Sequence, residues 1–199
     1  MKLNTPNTIS VIRIFLMPVI VFFYLATFVP YGKFIAAIVF IIAASTDFVD
    51  GYIARKYNMV TNLGKFLDPI ADKLIAISAL LLVCFDGTIP APYGIIISII
   101  IISRELIISA FRTVAASNNI IMAADIYGKI KTVFTCIAIP MFMVLAGAYG
   151  LLTQGVNIPD IVLTVYEIVS YAMITIATLL TIYSGINYSV KNKQAITNK

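Results

Sequence analysis

Residues 45–73 read STDFVDGYIARKYNMVTNLGKFLDPIADK and hold four of the chain's nine acids, Asp47, Asp50, Asp68 and Asp72, within 26 residues. Apolar runs flank this stretch on both sides. One covers residues 34–46 and ends at Asp47; the other covers residues 74–85 and begins just after Asp72-Lys73. A membrane-spanning helix needs about 20 residues at 1.5 Å rise each. Neither run is long enough unless its helix also takes in the charged residues beside it. The sequence therefore predicts two long helices, each half apolar and half charged, joined by an inner loop near residues 58–62.

The rest of the chain agrees with a membrane setting. Of 199 residues, 61% are hydrophobic and only 12% charged, with a mean hydropathy of +1.00. Soluble domains carry about twice that charge. The same numbers exclude disorder and a disulfide scaffold. No cleavable signal peptide is expected, because the first uncharged run, residues 14–32, is too long for one. Further spans are predicted in residues 87–103, 132–159 and 168–190. The fold class expected is an all-α integral membrane protein with six transmembrane helices, both termini cytoplasmic, forming one domain over residues 1–199. Alternation places all of the 14 basic residues but Lys33 on the side of the termini. The positive-inside rule makes that side the cytoplasm. The net charge of +5 then faces anionic headgroups, and nucleic acid is not an expected partner. Cys84 and Cys136 read as small apolar residues too far apart to bridge.

A charge inside a spanning segment costs roughly 2.5–3.5 kcal/mol, so four unpaired carboxylates would cost about 10–14 kcal/mol. Asp47 and Asp50 are spaced i,i+3, and Asp68 and Asp72 are spaced i,i+4, so each pair faces one direction. Two facing carboxylate pairs with no His or Cys nearby suit a hard cation, Mg²⁺ or Mn²⁺, and four carboxylates leave room for two ions. Gly51, Ala54 and Arg55 share an arc of about 140° with Asp47, leaving space for a ligand and a fork for phosphate. The competing reading is a structural ion network with Arg55, Lys56, Lys65 and Lys73. A cation path across the membrane is a third, opposed by the absence of polar residues continuing through the two apolar halves.

The pattern Asp47-x-x-Asp50-Gly51-x-x-Ala54-Arg55, eight residues, Gly64-x-x-x-Asp68-x-x-x-Asp72 resembles the full signature of the CDP-alcohol phosphotransferase family. The resemblance implies that Asp47, Asp50, Asp68 and Asp72 ligate two divalent ions and that Asp72 is also the catalytic base. It further implies that Gly51, Ala54, Arg55 and Gly64 surround the CDP moiety, with Asn7 and Thr8 of the opening Pro6-Asn7-Thr8 nearby. A homodimer and an active site at the cytoplasmic face of the cell membrane belong to the same expectation.

Outside the signature, Arg104, Glu105 and Arg112 share an arc of about 100°, while Lys131 points roughly 160° away from Lys129. An acceptor carrying its own phosphate would need such cations. The elements Ser103-Arg104-Glu105 with Arg112, and Gly128-Lys129-Ile130-Lys131-Thr132, are similar to those of one branch of the family, although Thr135 stands where many relatives carry Gln. Members of that branch move a phosphatidyl group from CDP-diacylglycerol to sn-glycerol 3-phosphate, giving phosphatidylglycerophosphate and CMP. Arg104, Arg112, Lys129 and Lys131 are thus expected to bind the acceptor phosphate. Phosphatidylglycerol, serine or inositol are the alternative acceptors.

Overall fold

The computed structural model describes the backbone of residues 5–56, 62–117 and 125–191. It describes the side chains there except those at 5–7, 47–56, 62–69, 72, 114 and 116–117. Six helices account for nearly all of these residues: α1 (Thr5–Leu25), α2 (Gly32–Lys56), α3 (Asn62–Phe85), α4 (Tyr93–Ser117), α5 (Ile126–Thr153) and α6 (Asp160–Lys191). Among the described residues there is no strand.

Four helices, α1, α4, α5 and α6, are long and apolar enough to cross a membrane. In α2 and α3 the apolar parts are Gly32–Thr46 and Lys73–Phe85. Each continues without a break into its charged half, as the short runs required. The connection falls at residues 57–61, outside the described residues, and α3 has already begun at Asn62.

Helix ends depart from the expected runs where charge was taken as a boundary. Helix α1 starts at Thr5, nine residues before the uncharged run, and carries Arg13 in its interior with 1% exposure. It stops at Leu25, so the Pro30-Tyr31-Gly32 turn lies outside it. Helix α4 passes straight through Arg104-Glu105 and ends twelve residues later at Ser117. A helix ends when its backbone hydrogen bonds end, and a charged side chain with a partner does not interrupt them.

Helix α5 is the most enclosed of the spans, packing on α2, α3 and α6, while α1 packs on α2 and α3, and α4 on α3 and α6. Its inner face carries Ala138, Phe142, Leu145 and Ala146, all essentially buried. Lipid supplies no hydrophobic drive between helices, so close fit matters more than apolarity. At Gly147 a Cβ would lie 2.6 Å from the Phe34 ring, which is how α2 approaches α5 so closely. Along α6, the hydroxyls of Ser170, Thr175, Thr178, Thr181 and Ser189 each bond the carbonyl four residues earlier. Neither Cys84 nor Cys136 is in a disulfide.

The turns at the end of the bundle away from residues 57–61 are tied by one carboxylate. Asp86, just past α3, accepts from Lys33 Nζ at 2.7 Å, from the Tyr24 hydroxyl at 2.7 Å, and from the Thr88 hydroxyl at 2.6 Å. Burial alone would push its carboxyl up, but donation from Lys33, Thr88 and Tyr24 outweighs it and holds the group below its ordinary range. The stabilisation is therefore present above an unfolded carboxylate's pKa of about 4, and is lost as pH falls through the lowered folded value. Asp86→Asn should cost about 1 kcal/mol at pH 7. Melting in detergent at pH 7 and in the acid range checks this: the wild-type advantage should vanish on acidification.

Candidate active site

The signature positions fall on the adjoining ends of two consecutive, packed helices. Positions 47, 50, 51, 54 and 55 lie in the charged half of α2, and positions 64, 68 and 72 in that of α3. The side chains of Asp47, Asp50, Ala54, Arg55, Asp68 and Asp72 lie outside those described, as does that of Asn7. Thr8 is described and exposed, in the first turns of α1, which packs against both α2 and α3.

Directly after position 72, Lys73 opens the wall of a cavity of about 360 Å³ between α3, α4 and α5. Its polar lining comprises Lys73, Glu105, Arg112, Lys131, Thr132 and Thr135, and its apolar lining includes Ile77, Leu80 and Ile101. Lys131 is 3% exposed because it shares the inner face of α5 with Thr135, Ala138 and Phe142, at helical spacing. Its ammonium pairs with Glu105, and Lys73 donates to the Ser109 hydroxyl. Arg112 lies over the Tyr188 ring at 5.6 Å and donates from Nε to the Tyr188 hydroxyl at 3.4 Å. Lys129, most of a half-turn round from Lys131, is exposed and does not line the cavity.

Arg104 faces the other way. Its Nη2 donates to the Ser184 hydroxyl of α6 at 2.5 Å, and its Nη1 lies 3.5 Å from Glu105 Oε1. Gly128 makes room for it: a Cβ there would lie 2.9 Å from Nη2 and 3.3 Å from Ser184 Oγ. Of the four cations expected at the acceptor, the fold brings Arg112 and Lys131 to one cavity, connects Arg104 to it through Glu105, and leaves Lys129 outside. Lys73, which sequence places beside Asp72, also lines the cavity. Asp125, an i,i+4 neighbour of Lys129 in sequence, stands just before α5 and receives Asn187 Nδ2 at 3.4 Å.

Comparison with known proteins bears on this arrangement. A profile of the family described as CDP-alcohol phosphatidyltransferase matches residues 3–183. The chain belongs to this family. It is 38% identical to the CDP-diacylglycerol–glycerol-3-phosphate 3-phosphatidyltransferase of Bacillus subtilis, covering 97% of each chain. Proteins of the same description from Haemophilus influenzae and Rickettsia bellii are 37% and 33% identical; the match covers 94% and 93% of this chain, and 92% and 93% of theirs. This CDP-alcohol phosphatidyltransferase is accordingly a membrane-embedded transferase, which sets the cation-path reading aside.

The fit at Gly128 gives a test. Gly128→Val should expel the Arg104 guanidinium from between α5 and α6, leaving Ser184 and Glu105 without it. A loss of about 1–3 kcal/mol is expected, as for other overpacked sites, read as a lower melting temperature in detergent.

Proposed function

We propose that this enzyme transfers the phosphatidyl group from CDP-diacylglycerol to sn-glycerol 3-phosphate, releasing CMP and giving phosphatidylglycerophosphate. The observation that carries the acceptor is the charge of the cavity beside position 72. Among the described residues, three cations, Lys73, Arg112 and Lys131, against one carboxylate, Glu105, give its lining a formal +2. A phosphate monoester carries about −1.5 to −2 at neutral pH, so glycerol 3-phosphate neutralises the cavity. Phosphatidylglycerol brings a single negative charge, and serine and inositol bring no net charge. Supplying the purified enzyme with CDP-diacylglycerol and each of the four acceptors tests this directly, with CMP release expected for glycerol 3-phosphate above the others.

Asp47, Asp50, Asp68 and Asp72 would hold two divalent cations, Mg²⁺ or Mn²⁺. The donor set fits hard ions: four carboxylates on adjoining helix ends with no softer ligand nearby. Such ions supply neutralisation of the donor pyrophosphate and of the leaving CMP. Gly51, Ala54, Arg55, Gly64, Asn7 and Thr8 make up the nucleotide side in this reading. Asp72 takes the proton from the C1 hydroxyl as its oxygen attacks the phosphorus bearing diacylglycerol. Arg112, Lys131 and Lys73 orient that hydroxyl by gripping the phosphate at the far end of the acceptor. Arg104 acts behind them through Glu105, and Lys129 adds positive field at the rim. The acyl chains stay in the bilayer.

The same reading makes all six helices transmembrane. It places both termini and the active site at the cytoplasmic face of the cell membrane, with the protein a homodimer. Retention of the basic residues on one side supports the orientation.

Asp50→Asn and Asp68→Asn should each abolish CMP release while leaving the protein folded in detergent, since each removes a ligand rather than a packing group. EDTA should stop the wild type reversibly, and near-normal turnover in either mutant at saturating Mg²⁺ would remove the metal assignment. Arg112→Ala should raise the KM for glycerol 3-phosphate roughly 10- to 150-fold, the worth of one charge-assisted phosphate contact, with little change for the donor. Steady-state kinetics with each substrate varied in turn separates this from a folding defect.

A further inference from the structure

Glu105 is out of place in a site that only binds phosphate, because an anion beside an anion repels it. Its side chain lines the cavity and is 23% exposed. Both of its ion pairs, to Lys131 and to Arg104, fall on Oε1. A carboxylate has about four lone-pair sites over its two oxygens, more than these two pairs use. The remaining polar wall offers a donating hydroxyl only neutral acceptors. Protonated Lys73, Arg112 and Lys131 are donors with no free lone pair. Thr132 and Thr135 give their hydroxyl protons to the carbonyls of Gly128 and Lys131 at 3.0 and 2.9 Å, which leaves their oxygens as neutral acceptors, weaker than a carboxylate. Glu105 is the one carboxylate lining this cavity among the described residues.

Glycerol 3-phosphate carries a hydroxyl that the transfer does not consume. It lies on C2, between the attacking C1 hydroxyl and the phosphate. A carboxylate set beside the phosphate-binding Lys131, and relieved of its repulsion by Lys131 and Arg104, is suited to accept that proton. We propose that Glu105 is a specificity-determining residue, accepting a hydrogen bond from the C2 hydroxyl so that the site selects a phosphorylated vicinal diol over other hydroxyalkyl phosphates. The proposal rests on the assignment of this cavity to the acceptor.

The probe is 3-hydroxypropyl phosphate, which keeps the phosphate and the reacting hydroxyl and lacks only the one on C2. The full-length enzyme is assayed with CDP-diacylglycerol and each acceptor. Wild type should favour glycerol 3-phosphate by about 100-fold or more in kcat/KM, since a site built to pair a hydroxyl rejects the analogue lacking it. Glu105→Ala should slow both acceptors, since Lys131 and Arg104 lose their partner, but slow glycerol 3-phosphate by far the more, bringing the ratio below about 10. Glu105→Asp, which keeps the charge, should restore part of the ratio. If the alanine variant does not fold, Glu105→Gln should still lower the ratio several-fold, because a neutral acceptor bonds more weakly. An unchanged ratio in the folded variant, with both acceptors slowed alike, would overturn the role of Glu105 and leave it only a support for Lys131. A wild type that uses neither phosphate but accepts phosphatidylglycerol, serine or inositol would overturn the acceptor assignment itself, and this proposal with it.

Discussion

Ionised groups in a low-dielectric bundle have to be met by groups of the opposite sign, and in this protein one carboxylate does most of the meeting near the cavity. Glu105 of α4 pairs with Lys131 of α5 and lies within 3.5 Å of Arg104, which in turn reaches Ser184 of α6. Three helices are thereby joined through two adjacent side chains, Arg104 and Glu105. The cost of removing these charges from water is several kcal/mol per ion, so none of them could sit there alone. The arrangement also fixes what is left over. With Glu105 shared between two cations, Arg112 and Lys73 keep the cavity positive.

The chemistry is gathered at one end of the helices and the tight turns at the other. The charged halves of α2 and α3, the cavity and the start of α5 lie together, whereas Lys33, Tyr24 and Asp86 close the opposite end. Apolar surface faces outward between them, with Phe15, Ile99, Ile161 and Leu179 among the most exposed large side chains. A soluble protein would aggregate with such a surface, but in lipid it is the ordinary exterior.

Much of this was legible in the residues. Two apolar runs too short to span, each abutting a pair of carboxylates, required helices with charged halves, and α2 and α3 have them. Helical periodicity separated Lys129 from Lys131, and the structure leaves one exposed and buries the other. What periodicity could not supply was the neighbour each face meets. Arg104 and Arg112 share an arc of α4 and both reach α6, at Ser184 and Tyr188, yet only Arg112 also lines the cavity. Sequence shows Lys73 beside Asp72 along the chain, but not that it also lines a cavity with α4 and α5. Helix ends were misplaced for a related reason: Arg13 and Arg104-Glu105 look like boundaries in a hydropathy profile, yet each is housed inside a continuous helix.

The hydroxyls of α6 carry a further meaning for how the chain is seen by lipid. Ser170, Thr175, Thr178, Thr181 and Ser189 are each engaged with their own backbone, four residues back. A composition-based scale charges them as polar and ranks α6 lowest in hydropathy of the four long spans, at 1.7. Ser170, Thr178 and Thr181 are moreover buried within the bundle, so their hydroxyls, already bonded to carbonyls, are not presented to the acyl chains. The helix is therefore oilier in place than on paper. Ser184 departs from the pattern by receiving Arg104, and with Asn187 and Tyr188, which meet Asp125 and Arg112, it marks the stretch of α6 that faces charged groups.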